Sequence, residues 1–144
     1  MAWRQASGEE VVSSRLLSQG GQPYHLSTMA TPKHILIVED DEDTRIDLSD
    51  HLQTAGYQVF LASEGTGAIQ RLLENPQIDT IVTDVRMPVF GGDYWLAFLQ
   101  KFCVGRYGIV LATARHLDQA PPGMHLVKKP YSFSELKELL QTLK

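Results

Sequence analysis

The chain has 144 residues, 43% of them hydrophobic and 21% charged, with a formal net charge of −4. That length suits one domain with a single sizeable core, and the mild acidity argues against a nucleic-acid-binding surface, which needs clustered Lys and Arg. The lone Cys103 excludes an internal disulfide and a multi-cysteine metal site; no apolar run approaches the ~20 residues of a membrane span, and no basic start leads into an apolar run as in a signal peptide, so the expected location is the cytoplasm, with no membrane partner.

Residues 1–30 differ from the rest. They hold Gly8, Gly20, Gly21 and Pro23, and their charges cancel. Val12 and Leu16 would give residues 9–17 a short apolar stripe, but isolated helices of that length are marginal in water. We expect a flexible N-terminal extension over 1–30 and a globular domain over 31–144. An arm that docks on the domain or on a partner is the functional alternative.

His34-Ile35-Leu36-Ile37-Val38 is a continuous apolar run and reads as a first, central strand. The acidic run Glu39–Asp43 follows. A helix is predicted from about Thr44 to Ala55, with Leu48, Leu52 and the stem of Arg45 on one face, and Gly56 stops it. Tyr57–Ala62 reads as the second strand. A second helix over Glu64–Glu74 turns Ala68, Ile69, Leu72 and Leu73 to one side, and Asn75-Pro76 ends it. Ile78, Ile81, Val82 and Val85 form a third, buried strand that delivers Asp84 to its C-terminal end, and Met87-Pro88 closes it. A third helix runs from about Gly92 to Phe102, a fourth strand from Tyr107 to Ala112, and a short fifth strand from His125 to Lys128. The last helix spans Ser132–Leu143, begun by Ser132 or Ser134 with Glu135 in its first turn.

This alternation predicts a parallel sheet with helices on both faces, in the doubly wound, flavodoxin-like order 2-1-3-4-5. Ligands of such sheets bind beyond the carboxyl ends of the strands. Glu39 and Asp40 lie there on strand 1, Asp84 on strand 3, Thr113 on strand 4 and Lys129-Pro130 on strand 5. Three carboxylates held close repel one another unless a cation sits among them, and hard oxygen donors in small number suit Mg²⁺. A lysine and a hydroxyl beside the metal are what phosphoryl oxygens need. A central carboxylate can then act as nucleophile and form an acyl phosphate. Each residue alone has a plainer reading: Asp84 as a helix cap, Glu39 and Asp40 as a solvated charge run, Thr113 as an ordinary strand end, Lys129 as a surface lysine. Their arrival at one end of the sheet favours the site. The five histidines (His25, His34, His51, His116 and His125) lack metal-ligand spacing and read as surface or edge residues. Cys103 reads as a buried, inert thiol.

On these pieces the sequence resembles a response regulator receiver domain: Ile35-Leu36-Ile37-Val38-Glu39-Asp40-Asp41, Ala55-Gly56-Tyr57, Gly65 with Ala68, Asp84-Val85-Arg86-Met87-Pro88 with Gly92, Thr113-Ala114, and Lys129-Pro130. The match covers residues 33–144. It implies that Asp84 accepts a phosphoryl group from a phosphohistidine on a histidine kinase or histidine phosphotransfer protein in a two-component phosphorelay. It implies Mg²⁺ held by Asp40, Asp84 and the backbone carbonyl of Arg86, with Glu39 reaching the ion through water. Thr113 and Lys129 would hold the phosphoryl oxygens. Such a domain is a signalling module that assists its own phosphorylation and dephosphorylation rather than an enzyme, and it signals to a downstream protein by contact, with a homodimer left open.

Two departures stand out. Leu126 occupies the position, three before the lysine, where the family commonly has an aromatic switch, with His125 beside it. Only sixteen positions separate Thr113 from Lys129, fewer than is usual for the family, and Pro121-Pro122-Gly123 interrupts them. We therefore expect the helix between the fourth and fifth strands to be shortened or replaced by a loop, and signalling to use another face or the fifth strand and last helix alone. The alternative function is a receiver-fold interaction module that acts without phosphorylation. An aspartyl hydrolase would need a carboxylate two after the nucleophile, where Arg86 stands, and a nucleotide-binding enzyme would need a glycine-rich cradle after the first strand.

Overall fold

A computed structural model describes residues 33–84, 92–114 and 119–143. The sequence-based readings of the N-terminal extension and of Arg86 fall outside the described residues. The elements are β1 (His34–Val38), α1 (Glu42–Thr54), β2 (Gln58–Ala62), α2 (Gly65–Glu74), β3 (Thr80–Thr83), α3 (Gly92–Phe98) continued by a π-helical turn (Leu99–Cys103), β4 (Gly108–Thr113), β5 (His125–Lys128) and α4 (Phe133–Thr142). The five strands form one sheet in the order β2-β1-β3-β4-β5, and every neighbouring pair is parallel. This is the predicted doubly wound order, and the strand order reverses between β1 and β3.

Alternating side chains of each strand enter opposite layers, because successive residues point to opposite faces. Leu36, Val38, Ile81, Ile109 and Leu111 pack with Ala68, Trp95, Leu99 and Cys103 under α2 and α3. Ile35, Ile37, Val82, Val110 and Ala112 pack with Leu48, Leu52, Leu136 and Leu140 under α1 and α4. Burial on both faces explains why the central strands read as continuous apolar runs rather than as alternation.

Several boundaries move from the sequence reading for identifiable reasons. Helix α1 begins at Glu42 rather than Thr44, because Asp41 caps it: its carboxylate accepts from the Thr44 N–H at 2.8 Å and the Thr44 hydroxyl at 2.6 Å. The predicted Gly92–Phe102 helix changes form at Leu99, where the Val104 N–H donates to the Leu99 carbonyl five residues back. That wider turn buries both Leu99 and Cys103. Ser132, one of the two proposed starts, caps α4 in a reciprocal box with Glu135.

Between β4 and β5, the described residues 114 and 119–124 hold turns and no helix. The rest of that predicted loop lies outside the described residues. Gly123 adopts φ +83° and packs against Val104, where any Cβ would clash with the valine side chain. Among the described residues no helix is long and apolar enough to cross a membrane.

Candidate functional site

The carboxyl ends of β1, β3 and β4 and the residue after β5 bring the predicted groups together. Glu39 continues β1: its N–H donates to the Ala62 carbonyl of β2 at 3.1 Å. Asp84 continues β3, its N–H donating to the Val38 carbonyl at 3.0 Å. Both carboxylates are buried, whereas Asp40 is exposed. Lys129, half-buried, spans the two strand ends: its Nζ donates to Glu39 Oε1 at 2.9 Å and to Asp84 Oδ2 at 3.1 Å. The lysine is held in place by its own main chain, whose N–H donates to the Thr113 carbonyl at 2.9 Å. Thr113 itself is fully buried at the end of β4. The Lys129–Pro130 peptide bond is cis.

One carboxylate oxygen from each of Glu39, Asp40 and Asp84 lies within 4.8 Å of the others. A single ammonium cannot neutralise three carboxylates at that spacing. Burial pushes the Glu39 carboxyl above its ordinary pKa, and the charge of Asp84 adds to the rise; the hydrogen bonds from Lys129 and from the Asp41 amide oppose it without cancelling it. Burial alone would lower Lys129, but its hydrogen bonds to Glu39 and Asp84 outweigh that cost and hold it above its ordinary value. Remaining negative charge, hard oxygen donors and a lysine already committed to two of them fit a divalent cation such as Mg²⁺.

The acidic run Glu39–Asp43 thus divides its labour. Glu39 and Asp40 serve the cluster, Asp41 caps α1, and Glu42 and Asp43 occupy the first turn of that helix, where its dipole favours them. Asp41 also donates its N–H to Glu39 Oε2 at 3.2 Å. Arg45, read from sequence as a packing stem, extends its guanidinium to the Glu39 carbonyl at 2.8 Å and so fixes the end of β1. Beside Lys129 a groove of about 690 Å³ opens between α1 and the start of α4, lined by Asp47, Leu48, His51, Tyr131 and Phe133 among others. On β5, Leu126 is half-buried against the core and His125 is exposed, so neither supplies a buried aromatic at the position of the family's switch.

Two linked hydrogen bonds behind Asp84 were also not legible in the sequence. The indole N–H of Trp95 donates to the Thr83 hydroxyl at 2.8 Å, and that hydroxyl donates to the Asp84 carbonyl at 2.9 Å.

The family model of the response regulator receiver domain matches residues 35–141. The transcriptional regulatory protein YxdJ of Bacillus subtilis (strain 168) is 30% identical over 104 residues, which cover 69% of this chain and 44% of YxdJ. The chain thus spans less than half the length of that curated relative. The response regulator protein TrrA of Thermotoga maritima, solved in complex with Mg²⁺-BeF, superimposes with a TM-score of 0.64 at 27% identity, covering 78% of this chain and 99% of that one. A structure of TrrA in complex with the histidine kinase ThkA gives a TM-score of 0.65 at 27% identity, over 76% of this chain and 96% of that one.

Proposed function

This chain belongs to the response regulator receiver family of two-component systems, and from that premise we propose that Asp84 is its phosphoacceptor, taking a phosphoryl group from a phosphohistidine on a histidine kinase or histidine phosphotransfer protein. The observation that carries the proposal is the buried Asp84 carboxylate, tied through Lys129 to Glu39 and grouped with Asp40. In this reading residues 31–144 form the receiver and residues 1–30 an arm outside it.

A carboxylate oxygen of Asp84 attacks phosphorus and forms the P–O bond of an acyl phosphate. The P–N bond to the donor imidazole breaks, and the imidazole leaves with that electron pair. Lys129, which now divides its N–H groups between Glu39 and Asp84, turns one of them to the phosphoryl oxygen, with the Thr113 hydroxyl as a second donor. Glu39 keeps its own bond to Lys129 and so limits how far the ammonium travels. Asp40, Asp84 and the Arg86 carbonyl would hold Mg²⁺, with Glu39 reaching it through water; when bound, the ion offsets the charge of the phosphoryl oxygens and the carboxylates. The groove beside Lys129 gives the donor histidine its approach, and the loaded domain signals by contact with a downstream protein.

The test is intact mass after incubation with acetyl phosphate and Mg²⁺. Wild type is expected to gain one phosphoryl group; Asp84→Asn, and wild type in chelator, are expected to gain none. A folded wild type that gains none at saturating donor would reject the phosphoacceptor reading in favour of an interaction module that acts without phosphorylation.

A further inference from the structure

We propose that Trp95 and Thr83 are positioning residues for the acceptor, acting through a buried hydrogen-bonded relay that runs from α3 to the main chain of Asp84. The proposal rests on Asp84 being the phosphoacceptor, and its test keeps the two readings apart.

Trp95 and Thr83 are both fully buried. A core position asks only for apolar volume, and a leucine there would need no partner. A buried indole does need one, because its N–H has left water. Trp95 finds the Thr83 hydroxyl at 2.8 Å. That hydroxyl has a single hydrogen, and it goes to the Asp84 carbonyl at 2.9 Å. The direction of the relay is therefore fixed at each link: indole N–H, then hydroxyl O–H, then acceptor carbonyl. The other main-chain group of Asp84, its N–H, is engaged with the Val38 carbonyl at 3.0 Å.

Both polar main-chain atoms of Asp84 are thus held, one by the sheet and one by the relay. The peptide group that the relay grips is also the first of the segment leading to Arg86. Trp95 is braced in turn, stacked on Phe98 with ring centroids 5.6 Å apart and planes 12° from parallel. Neither residue touches the reacting atoms. Their effect is to hold the backbone from which the Asp84 carboxylate reaches Lys129, and displacements well under a bond length at a reacting group are costly in rate.

The experiment compares wild type, Thr83→Val, Thr83→Ser and Leu140→Val, a core truncation under the opposite face of the sheet. For each, the phosphorylation rate constant at saturating acetyl phosphate with Mg²⁺, the half-saturating donor concentration and the thermal midpoint are measured on protein shown to be folded. Thr83→Val keeps the side-chain shape and removes the hydroxyl; it is expected to slow labelling roughly tenfold with the half-saturating concentration unchanged. Thr83→Ser restores the hydroxyl and is expected to stay within about twofold of wild type. Leu140→Val is expected to lower the thermal midpoint and leave the rate constant alone.

A wild type that labels, with Thr83→Val at the same rate constant, overturns the relay and leaves the acceptor standing. Slowing by Leu140→Val as large as that of Thr83→Val also overturns it, since general loosening would then account for the effect. A wild type that never labels rejects the acceptor itself.

Discussion

Asp84 and Cys103 each carry a nucleophilic atom, and both are buried, 9% and 2% exposed. They sit at opposite ends of the same structure. Asp84 lies at the carboxyl end of β3, with Lys129 at 3.1 Å and two further carboxylates beside it. Cys103 closes the π-helical turn just before β4, among Leu99, Trp95 and Ile109. Burial pushes the Cys103 thiol up to about 11, with the charge of Arg106 pulling only weakly the other way. The comparison separates burial from reactivity. Removing a group from water raises the cost of its charged, nucleophilic form. A buried nucleophile is useful where a fixed counter-charge lowers that cost and a groove leads in from solvent. At the carboxyl end of β3 Lys129 supplies that counter-charge to Asp84, and a groove opens beside the lysine; at Cys103 burial outweighs the charge of Arg106.

The largest expected effects break one side of this comparison and leave the other intact. Asp84→Asn should abolish phosphoryl labelling in intact-mass spectra, whereas Cys103→Ala should label at the wild-type rate constant. Labelling of Asp84→Asn would move the chemistry elsewhere. Next in size is Lys129→Ala. In the proposed mechanism it removes a donor to the developing phosphoryl charge, and it leaves Glu39 and Asp84 without the cation they share. We expect the rate constant at saturating donor to fall by roughly 10²-fold. A rate within a factor of two of wild type would mean that Lys129 only holds the unphosphorylated cluster together.

The placement of the Asp84 cluster was legible in the sequence because its residues end recognisable strands. Apolar runs located β1, β3 and β4, the winding rule fixed their order, and together they sent Glu39, Asp40, Asp84, Thr113 and Lys129 to one edge. What stayed hidden depends on side-chain direction rather than on strand order. Trp95 lies within the predicted third helix and packs in the core with Leu99, and nothing in the sequence of that helix reveals which way the indole N–H points. Asp41 stood within five consecutive acids, and only its bonds to Thr44 distinguish a cap from a ligand. The signal was present there, since aspartate is a preferred helix N-cap whose carboxylate accepts from the N–H two or three residues on. The change to π geometry at Leu99 has no such marker, as Leu99 and Cys103 are four apart and satisfy an ordinary helical stripe equally well.

The smallest effects belong to the inert side. Cys103→Ala removes a buried sulfur beside Leu99 and should cost about 1 kcal/mol in urea unfolding, the low end for core truncation. The pH dependence of that residue gives a finer test. Its folded pKa is raised from 9.0 to about 11. Above pH 9.0 the unfolded chain therefore releases the thiol proton while the folded protein still holds it. The unfolded state binds fewer protons in that window, so stability falls as pH rises from 9.0 toward 11 and is unaffected by this group at lower pH. In Cys103→Ala that component of the alkaline decline should disappear, leaving whatever decline the tyrosines and lysines produce. Alkylation provides the matching kinetic readout: at pH 8 iodoacetamide should modify wild type only as fast as the protein opens, and urea should accelerate it in step with unfolding. Rapid alkylation of the folded protein at pH 8 would place a reactive thiolate at the amino end of β4, and the contrast with Asp84 would then be one of specificity rather than of reactivity.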